Sequence, residues 1–177
     1  TGCINFIDSN FKLDNINITG SSCEDGINIV NSRGSINIVN IANTVSDGID
    51  LDYSKVSINN IYVKNSIGDC IDVSFGQYEI KKVIVEDCED KGISIGEMSK
   101  VKIDNAVLIS NKIGIAIKDS AKLSLNKISL EQNNITCLAL YNKKKEFSGG
   151  NMFYNSIPSS CEQNISLDKY SKLLKNN

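Results

Sequence analysis

A 22-residue repeat constrains the fold of this chain more than any other feature of its sequence. The repeat is clearest between Asp47 and Ser120, in the segments DGIDLD, GDCIDVS, DKGISIGE and GIAIKDS. Three kinds of position return at intervals of 22 in these segments: Gly48, Cys70, Gly92 and Gly114; Ile49, Ile71, Ile93 and Ile115; and Leu51, Val73, Ile95 and Ile117. Such a period is typical of repeat proteins, in which each unit buries its apolar face against the next unit.

Two further columns of apolar residues follow the same period. The first contains Leu13, Ile36, Ile58, Ile80, Ile103 and Leu125. The second contains the pairs Ile16/Ile18, Val39/Ile41, Ile61/Val63, Val83/Val85, Ala106/Leu108 and Ile128/Leu130. Each unit therefore carries three short alternations of apolar and polar residues, which is the pattern of half-buried strands. The sequence predicts an all-β fold, a right-handed parallel β-helix (solenoid) with about 22 residues and three short strands per coil, in six to seven coils.

Polar residues separate the predicted strands and indicate where the coil turns. Asparagine tolerates the left-handed backbone conformation and stacks its amide on the amide of the next coil. We expect this role for four residues near the coil corners: Asn43, Asn65, Asn111 and Asn133.

The repeat divides the chain into two parts of one domain. Residues 1–141 are predicted to form the β-helix coils, and residues 142–177 an irregular C-terminal coil and cap. The pattern degrades after Tyr141, where a run of three lysines is followed by Gly149 and Gly150. A cap is expected because the open end of a β-helix is an unpaired sheet edge. The alternative for this segment is a functional loop.

Composition narrows the range of functions. The net charge of −2 argues against a nucleic-acid-binding protein, which needs a basic face for phosphates. No apolar run approaches the roughly 18 residues of a membrane span. The chain contains no histidine, so the commonest general base and metal ligand is missing.

Six cysteines in 177 residues do not indicate a small disulfide scaffold, and no C-x-x-C spacing indicates zinc. Cys3, Cys70 and Cys137 occupy the small-residue column of the repeat. We therefore expect these three to be buried free thiols, since no histidine is present to activate them. The pairing of the other three cysteines stays open.

Carboxylates follow one face of the predicted coils. Six of them recur in register: Asp25, Asp47, Asp50, Asp52, Asp69 and Asp72. Asp90 and Glu97 come just beyond, and Lys91 and Lys118 close the patch at one end. Carboxylates on neighbouring rungs repel one another, so something must offset the cost. A Ca²⁺ ion held by Asp50 and Asp72, raised pKa values with shared protons, or the two lysines would each do so.

These residues carry three alternative interpretations: structural turns, a cation site, or a catalytic site in which paired carboxylates hydrolyse a glycosidic bond. The catalytic candidates are Asp47, Asp69, Asp72, Lys91 and Lys118. The candidates for contact with substrate are Asp50, Asp52, Ser74, Ser94 and Glu97. For the two lysines, charge compensation is favoured over catalysis.

The succession DGID, GDCID, DKGISIGE and GIAIKDS, followed by LALYNKKKEF, resembles the right-handed parallel β-helix repeat domains of bacterial surface and exopolysaccharide-associated proteins. The resemblance covers residues 26–147. It implies the pectate-lyase-like superfamily of carbohydrate-binding and sugar-hydrolysing proteins, a polysaccharide partner, and an exported, cell-surface or extracellular location. Some of those domains follow a spore-coat-type kinase domain, so a neighbouring domain of the same chain is a further expected partner.

The chain is also similar to polygalacturonases, whose segments read NTDG, GDD, GHG and RIK at comparable spacing. Asp47, Asp69 and Lys118 match that pattern. The second aspartate of GDD is replaced by Cys70, the histidine by Lys91 and the arginine by Ala116. These departures argue against the polygalacturonase mechanism, because fold kinship does not confer activity.

The sequence therefore predicts a polysaccharide-interacting β-helix domain, with a divalent cation as a candidate cofactor and without a nucleic-acid or membrane partner. Two alternatives stay open. One is a polysaccharide hydrolase, lyase or epimerase that uses the acidic residues and a lysine. The other is a structural spacer that displays a neighbouring domain.

Overall fold

The computed structural model describes residues 1–131 and 136–176, which form fourteen strands and one short helix. The elements are β1 (Gly2–Ile7), β2 (Asn10–Ser21), β3 (Asp25–Val30), β4 (Arg33–Thr44), β5 (Asp47–Ser66), β6 (Ile71–Glu86), β7 (Lys91–Gly96), β8 (Lys100–Ile109), β9 (Ile113–Lys118), β10 (Lys122–Glu131), β11 (Thr136–Tyr141), β12 (Asn151–Ser156), α1 (Ser159–Glu162), β13 (Ile165–Leu167) and β14 (Lys172–Lys175).

Each strand pairs in parallel with its equivalent in a neighbouring coil. One ladder runs β1–β3–β5–β6–β7–β9–β11–β13, and the other runs β2–β4–β5–β6–β8–β10–β12–β14. The chain is therefore a parallel β-helix with coils of about 22 residues, as the repeat predicts. Neighbouring rungs in such a ladder lie about 4.8 Å apart.

Each coil has three faces, although the strands are longer than predicted. We call face A the ladder that contains β3, β7 and β9, face B the first half of β4, β8 and β10, and face C their second half. The backbone bends between faces B and C where the ladder omits Asn37 and Asn59. The Asn59 amide donates a hydrogen bond of 3.0 Å to the Asn37 oxygen there. Because the bend breaks pairing for one residue only, two predicted short strands merge into one.

Aliphatic side chains from all three faces form one continuous core. Ile29, Leu51, Val73, Ile95 and Ile117 stack in successive coils of face A, each with 1 % or less of its surface exposed. Each side chain buried in this way stabilises the fold by roughly 1.5–3 kcal/mol relative to an exposed one. The apolar columns read from the sequence are thus confirmed as the core.

The solenoid continues beyond the six to seven predicted coils to about eight turns. After a loop at residues 142–150, β12 and β14 extend face B, and β13 extends face A. The loop is fixed by the fully buried Asp119, whose Oδ1 accepts the backbone N–H groups of Lys143 and Lys144 at 2.8 Å each. The additional coil escaped the sequence pattern because its strands are short and its insertions are long.

The expectation of free thiols is wrong. All six cysteines form disulfides: Cys3–Cys23, Cys70–Cys88 and Cys137–Cys161. Each bond joins a small-residue position to the turn that precedes the next coil, with separations of 20, 18 and 24 residues. The spacing of consecutive cysteines in the sequence could have predicted these disulfides, because residues about one coil apart lie on neighbouring rungs.

The asparagine turns are confirmed at two of the four expected positions. Asn43 and Asn65 have φ values of 61° and 55°, and the Asn65 amide donates to the Asn43 oxygen at 2.9 Å. Asn111 instead is buried, where its amide donates to the Val85 carbonyl and accepts the Cys88 N–H. Asn133 lies outside the described residues.

Candidate functional site

The predicted carboxylates gather on the outer surface of face A, in a band that we call the acidic strip. It consists of Asp25, Asp47, Asp50, Asp52, Asp69 and Asp72. Strand alternation places Asp50, Asp52 and Asp72 outward while Ile and Leu point into the core. Asp25, Asp47 and Asp69 lie at or just before the start of each strand, where Asp25 and Asp69 are only 5 % and 7 % exposed. The register pairs Asp25 with Asp47 and Asp50 with Asp72 on neighbouring rungs, so like charges meet about 4.8 Å apart.

Two aspartates of the strip have a structural role in the turns between coils. The Asp47 carboxylate accepts the backbone N–H of Asp69 at 2.7 Å, and the Asp69 carboxylate accepts the N–H of Lys91 at 2.9 Å. Each aspartate therefore satisfies a backbone donor of the following coil. The structural interpretation of these two residues is supported, and it leaves their second oxygens for other partners.

Lysines close the strip at its C-terminal end, as predicted. Lys91 Nζ lies 3.2 Å from Asp69 Oδ1 and also binds the Asp90 carboxylate. Lys118 is 5 % exposed, donates from Nζ to the Ser94 hydroxyl, and lies 3.7 Å from Asp72 Oδ1. The ammonium groups thus offset part of the repulsion among the carboxylates.

The predicted contact residues divide into exposed and buried groups. Asp50, Asp52 and Ser74 are half-buried on the strip. Ser94 is fully buried under Lys118, and Glu97 is 5 % exposed because it accepts hydrogen bonds from Ser74 and Lys144. These two residues therefore position Lys118 and Lys144 and have little surface for contact with a ligand.

Burial raises the pKa values of the strip. Asp50 has its pKa raised to about 8 by burial, and then by the charges of Asp52 and Asp72. Burial also raises the pKa of Asp69 to about 6, although the charge of Lys91 opposes the change. Burial lowers the pKa of Lys91, but its bonds to Asp90 and Asp69 outweigh that effect, so the net pKa is raised and the lysine stays charged.

One group of carboxylates has the spacing of a cation site. Oxygens of Asp47, Asp69 and Asp72 lie within 4.8 Å of one another. Asp72 belongs to this group as predicted, whereas the group does not contain Asp50. Carboxylate oxygens suit Ca²⁺, but the neighbouring lysines already balance part of the charge. Binding of Ca²⁺ therefore stays a prediction.

An aromatic pair at the edge of the strip was missed by the sequence analysis. The rings of Tyr53 and Phe75 stack with centroids 4.5 Å apart and an interplanar angle of 7°. Phe147 meets Phe75 edge-on with its centroid 6.2 Å away. Tyr53 is 59 % exposed, so the ring face that does not contact Phe75 is open to a ligand.

Both stacked residues have a strained backbone. Tyr53 has φ 51° and Phe75 has φ 40°, at the turn position where the preceding coil has Asn31 at φ 46°. A bulky residue in this region costs on the order of 1–3 kcal/mol and persists where the surroundings hold it. The same conformation recurs at Glu97 and Asp119 in the following coils, with φ values of 36° and 53°, so it is a regular feature of this turn, and only the aromatic residue type is unusual. Residue type could not reveal it, because aromatic residues are disfavoured at such turns.

A buried tyrosine holds the two strained turns in place. The Tyr78 hydroxyl, in a side chain 1 % exposed, lies 3.0 Å from the Leu51 and Ser74 carbonyls and 3.2 Å from the Phe75 carbonyl. It also accepts the backbone N–H of Ser54 at 3.3 Å. One core hydroxyl therefore connects the turns that carry both aromatic rings.

Comparison with known proteins adds no identification. No family model, curated protein or solved structure matches this chain. The resemblance to exopolysaccharide-associated β-helix domains therefore stays a prediction, and the site must be interpreted from its own geometry. Within residues 1–131 and 136–176, no helix has the length and apolar character needed to cross a bilayer.

Proposed function

We propose that this β-helix binds a polysaccharide on face A, with the stacked Tyr53–Phe75 pair as its platform and the acidic strip as its hydrogen-bonding surface. The observation that carries the proposal is the strained, exposed aromatic pair at the edge of the strip. Aromatic rings offer a large, rigid apolar face at low cost in conformational entropy, which suits the C–H face of a sugar ring.

The raised pKa values of the carboxyl groups in the acidic strip favour binding of a neutral glycan. Burial raises the pKa values of Asp25, Asp47 and Asp52 in addition to that of Asp50. The Asp50 carboxyl, whose pKa is raised to about 8, keeps its proton at neutral pH, so it donates one hydrogen bond and accepts others, which matches a sugar hydroxyl. Acidic sugars would be repelled by the ionised members of the strip, unless a cation at Asp47, Asp69 and Asp72 bridged them.

An exported or surface-associated location forms part of the proposal. Disulfides persist in oxidising compartments and are rare in the reducing cytosol. The three disulfides of this chain, each about one coil in span, support export. A pure spacer would be expected to leave its carboxylates splayed apart in solvent, whereas Asp69 pairs with the partly buried Lys91 and Asp72 lies 3.7 Å from the buried Lys118.

The proposal is tested by affinity electrophoresis through gels that contain neutral polysaccharides, run in EDTA and again in Ca²⁺. We expect Tyr53→Ala to weaken retardation by about tenfold, as the loss of one aromatic stacking partner predicts. Tyr170→Ala is the matched control, because Tyr170 is 55 % exposed on the last coil. Equal retardation of both variants and wild type, or no retardation by any neutral glycan, would overturn the proposal.

A second candidate function is a polysaccharide hydrolase, lyase or epimerase. Lys91 bonded to two carboxylates and Asp69 with its pKa raised to about 6 favour it, since perturbed groups of this kind supply general acids and bases. The carboxylate oxygens within 4.8 Å are nearer the roughly 5 Å separation of retaining glycosidases than the wider one of inverting enzymes. Release of reducing ends or unsaturated products, lost in Asp69→Asn, would support this function.

A further inference from the structure

A column of basic residues runs along the solenoid at the start of face B. In the register of the ladders, Arg33 lies beside Lys55, Lys55 beside Gln77, and Gln77 beside Lys100. The column continues to Lys122, Asn151 and Lys172. We call the five cations Arg33, Lys55, Lys100, Lys122 and Lys172 the basic column. They occupy five of seven successive rungs, although the chain as a whole is slightly acidic.

The basic column is exposed and lacks acidic partners. All five side chains belong to exposed residues. In the part of the chain that the structure describes, no ion pair joins any of them to a carboxylate. Cations on neighbouring rungs repel one another, so Arg33 beside Lys55 and Lys100 beside Lys122 cost stability. The lysines of the acidic strip differ, because Lys91 and Lys118 are both paired.

Two surface clefts lie along this column and meet at one residue. The first has a volume of about 360 Å³ and is lined by Arg33, Lys55, Gln77 and the Tyr53 ring, among others. The second has a volume of about 330 Å³ and is lined by Lys100, Lys102, Lys122 and Phe153, again with Gln77. Its one acidic lining residue, Glu79, lies beside Lys102 in the ladder, so the three lysines leave the cleft with a net positive charge. Because Gln77 borders both, the two clefts adjoin along the column, and each contains an aromatic residue. We call the two clefts together the basic groove.

We propose that this groove binds a linear acidic polysaccharide, whose carboxylate or sulfate groups meet the basic column while its sugar rings contact Tyr53 and Phe153. The inference rests on the proposed function only in taking the ligand to be a glycan, and it adds a second binding face with the opposite charge preference. A row of cations about 4.8 Å apart suits an extended polymer that carries regularly spaced anions.

A glycan fits the groove better than a nucleic acid. A nucleic acid duplex is a wide polyanion, and the acidic strip on the neighbouring face would repel it. The basic residues form a single file, with only Lys102 beside it in the second cleft. Both clefts are shallow surface features of a rigid sheet, which suits a thin chain lying along the solenoid axis.

The inference is tested by measuring binding of dextran sulfate and of hyaluronate, with dextran as the neutral polymer and a single-stranded oligothymidylate as the other class of polyanion. The test variant is Lys100→Gln/Lys122→Gln. The control is Lys82→Gln/Lys112→Gln, which removes the same charge at two exposed lysines outside the groove. We expect the test variant to bind both acidic glycans roughly tenfold more weakly than the control, and the salt dependence of binding to become shallower.

Equal binding by the two double variants would overturn the inference, because the attraction would then be a property of overall charge. Tighter binding of the oligothymidylate than of either glycan, with the same sensitivity to the test variant, would overturn it in favour of nucleic acid. Phe153→Ala separates this inference from the proposed function, because Phe153 lines the second cleft and is not part of the Tyr53–Phe75 platform. Weaker hyaluronate binding in Phe153→Ala, with neutral-glycan binding unchanged, supports an independent groove, and unchanged hyaluronate binding in that variant would overturn the contact with Phe153.

Discussion

Asp50 is the residue of the acidic strip whose burial lowers the stability of the fold most. It lies between Asn28 and Asp72 in the ladder, and its pKa of about 8 stands far above the roughly 3.9 of an unfolded chain. Between these two values the folded protein holds a proton that the unfolded chain has released. Stability must therefore fall as the pH rises through this window. The lowered pKa of Glu97, which accepts bonds from Lys144 and Ser74 in spite of its burial, acts in the opposite direction.

Replacing Asp50 by asparagine should remove this pH dependence. The amide has nearly the same shape and no charge, so Asp50→Asn is expected to raise the free energy of unfolding at pH 8 by about 1–2 kcal/mol, after a discount for partial exposure. At pH 4 the effect should be small. Urea unfolding at both pH values measures it, with Asp87→Asn as the control at an exposed aspartate outside the strip. A gain that is the same at pH 4 and pH 8 would contradict the assignment.

At the scale of elements, β5 and β6 form the part of the solenoid that shapes the platform. They pair along nearly their whole length, from Ile49 and Ile71 to Lys64 and Glu86. The turns within them carry Tyr53 and Phe75, and the Tyr78 hydroxyl in the core joins those turns. The shape of the binding face therefore depends on a residue that no ligand contacts.

Tyr78→Phe should show this dependence. Loss of the hydroxyl removes one hydrogen-bond donor to these carbonyls and the acceptor of the buried Ser54 N–H, so we expect a loss of about 1–3 kcal/mol in the free energy of unfolding. Neutral-glycan binding should weaken as well, because the strained turns lose their connection. Tyr62→Phe is the control, since its hydroxyl donates to Glu86 at 2.6 Å on face C, away from the platform. Unchanged glycan affinity in Tyr78→Phe would show that the platform holds its shape without this hydroxyl.

At the scale of the whole molecule, the period of 22 residues predicted most of what the fold contains. The columns of isoleucine, leucine and valine identified the core because burial in a solenoid repeats with the coil. The same register brought Asp47, Asp69 and Asp72 together with Lys91 and Lys118. The core residues and the charged residues of the acidic strip recur once per coil, so the 22-residue period was enough to place them.

The features that broke the period could not be predicted in this way. The aromatic residues Tyr53 and Phe75 replace the expected polar turn residue, and their exposure and stacking depend on backbone strain that residue type argues against. The disulfides join positions slightly less or more than one coil apart, so no single column contains both partners. The last coil is interrupted by a loop and a short helix, which hide its strands.

The most direct test of the central claim is hydrogen–deuterium exchange with and without a neutral oligosaccharide of the kind that retards the protein. We expect slower exchange at the turns that carry Tyr53 and Phe75 and along the neighbouring rungs of face A, with face C unchanged. Protection confined to face C or to the last coil, or the same protection in Tyr53→Ala as in wild type, would contradict the account.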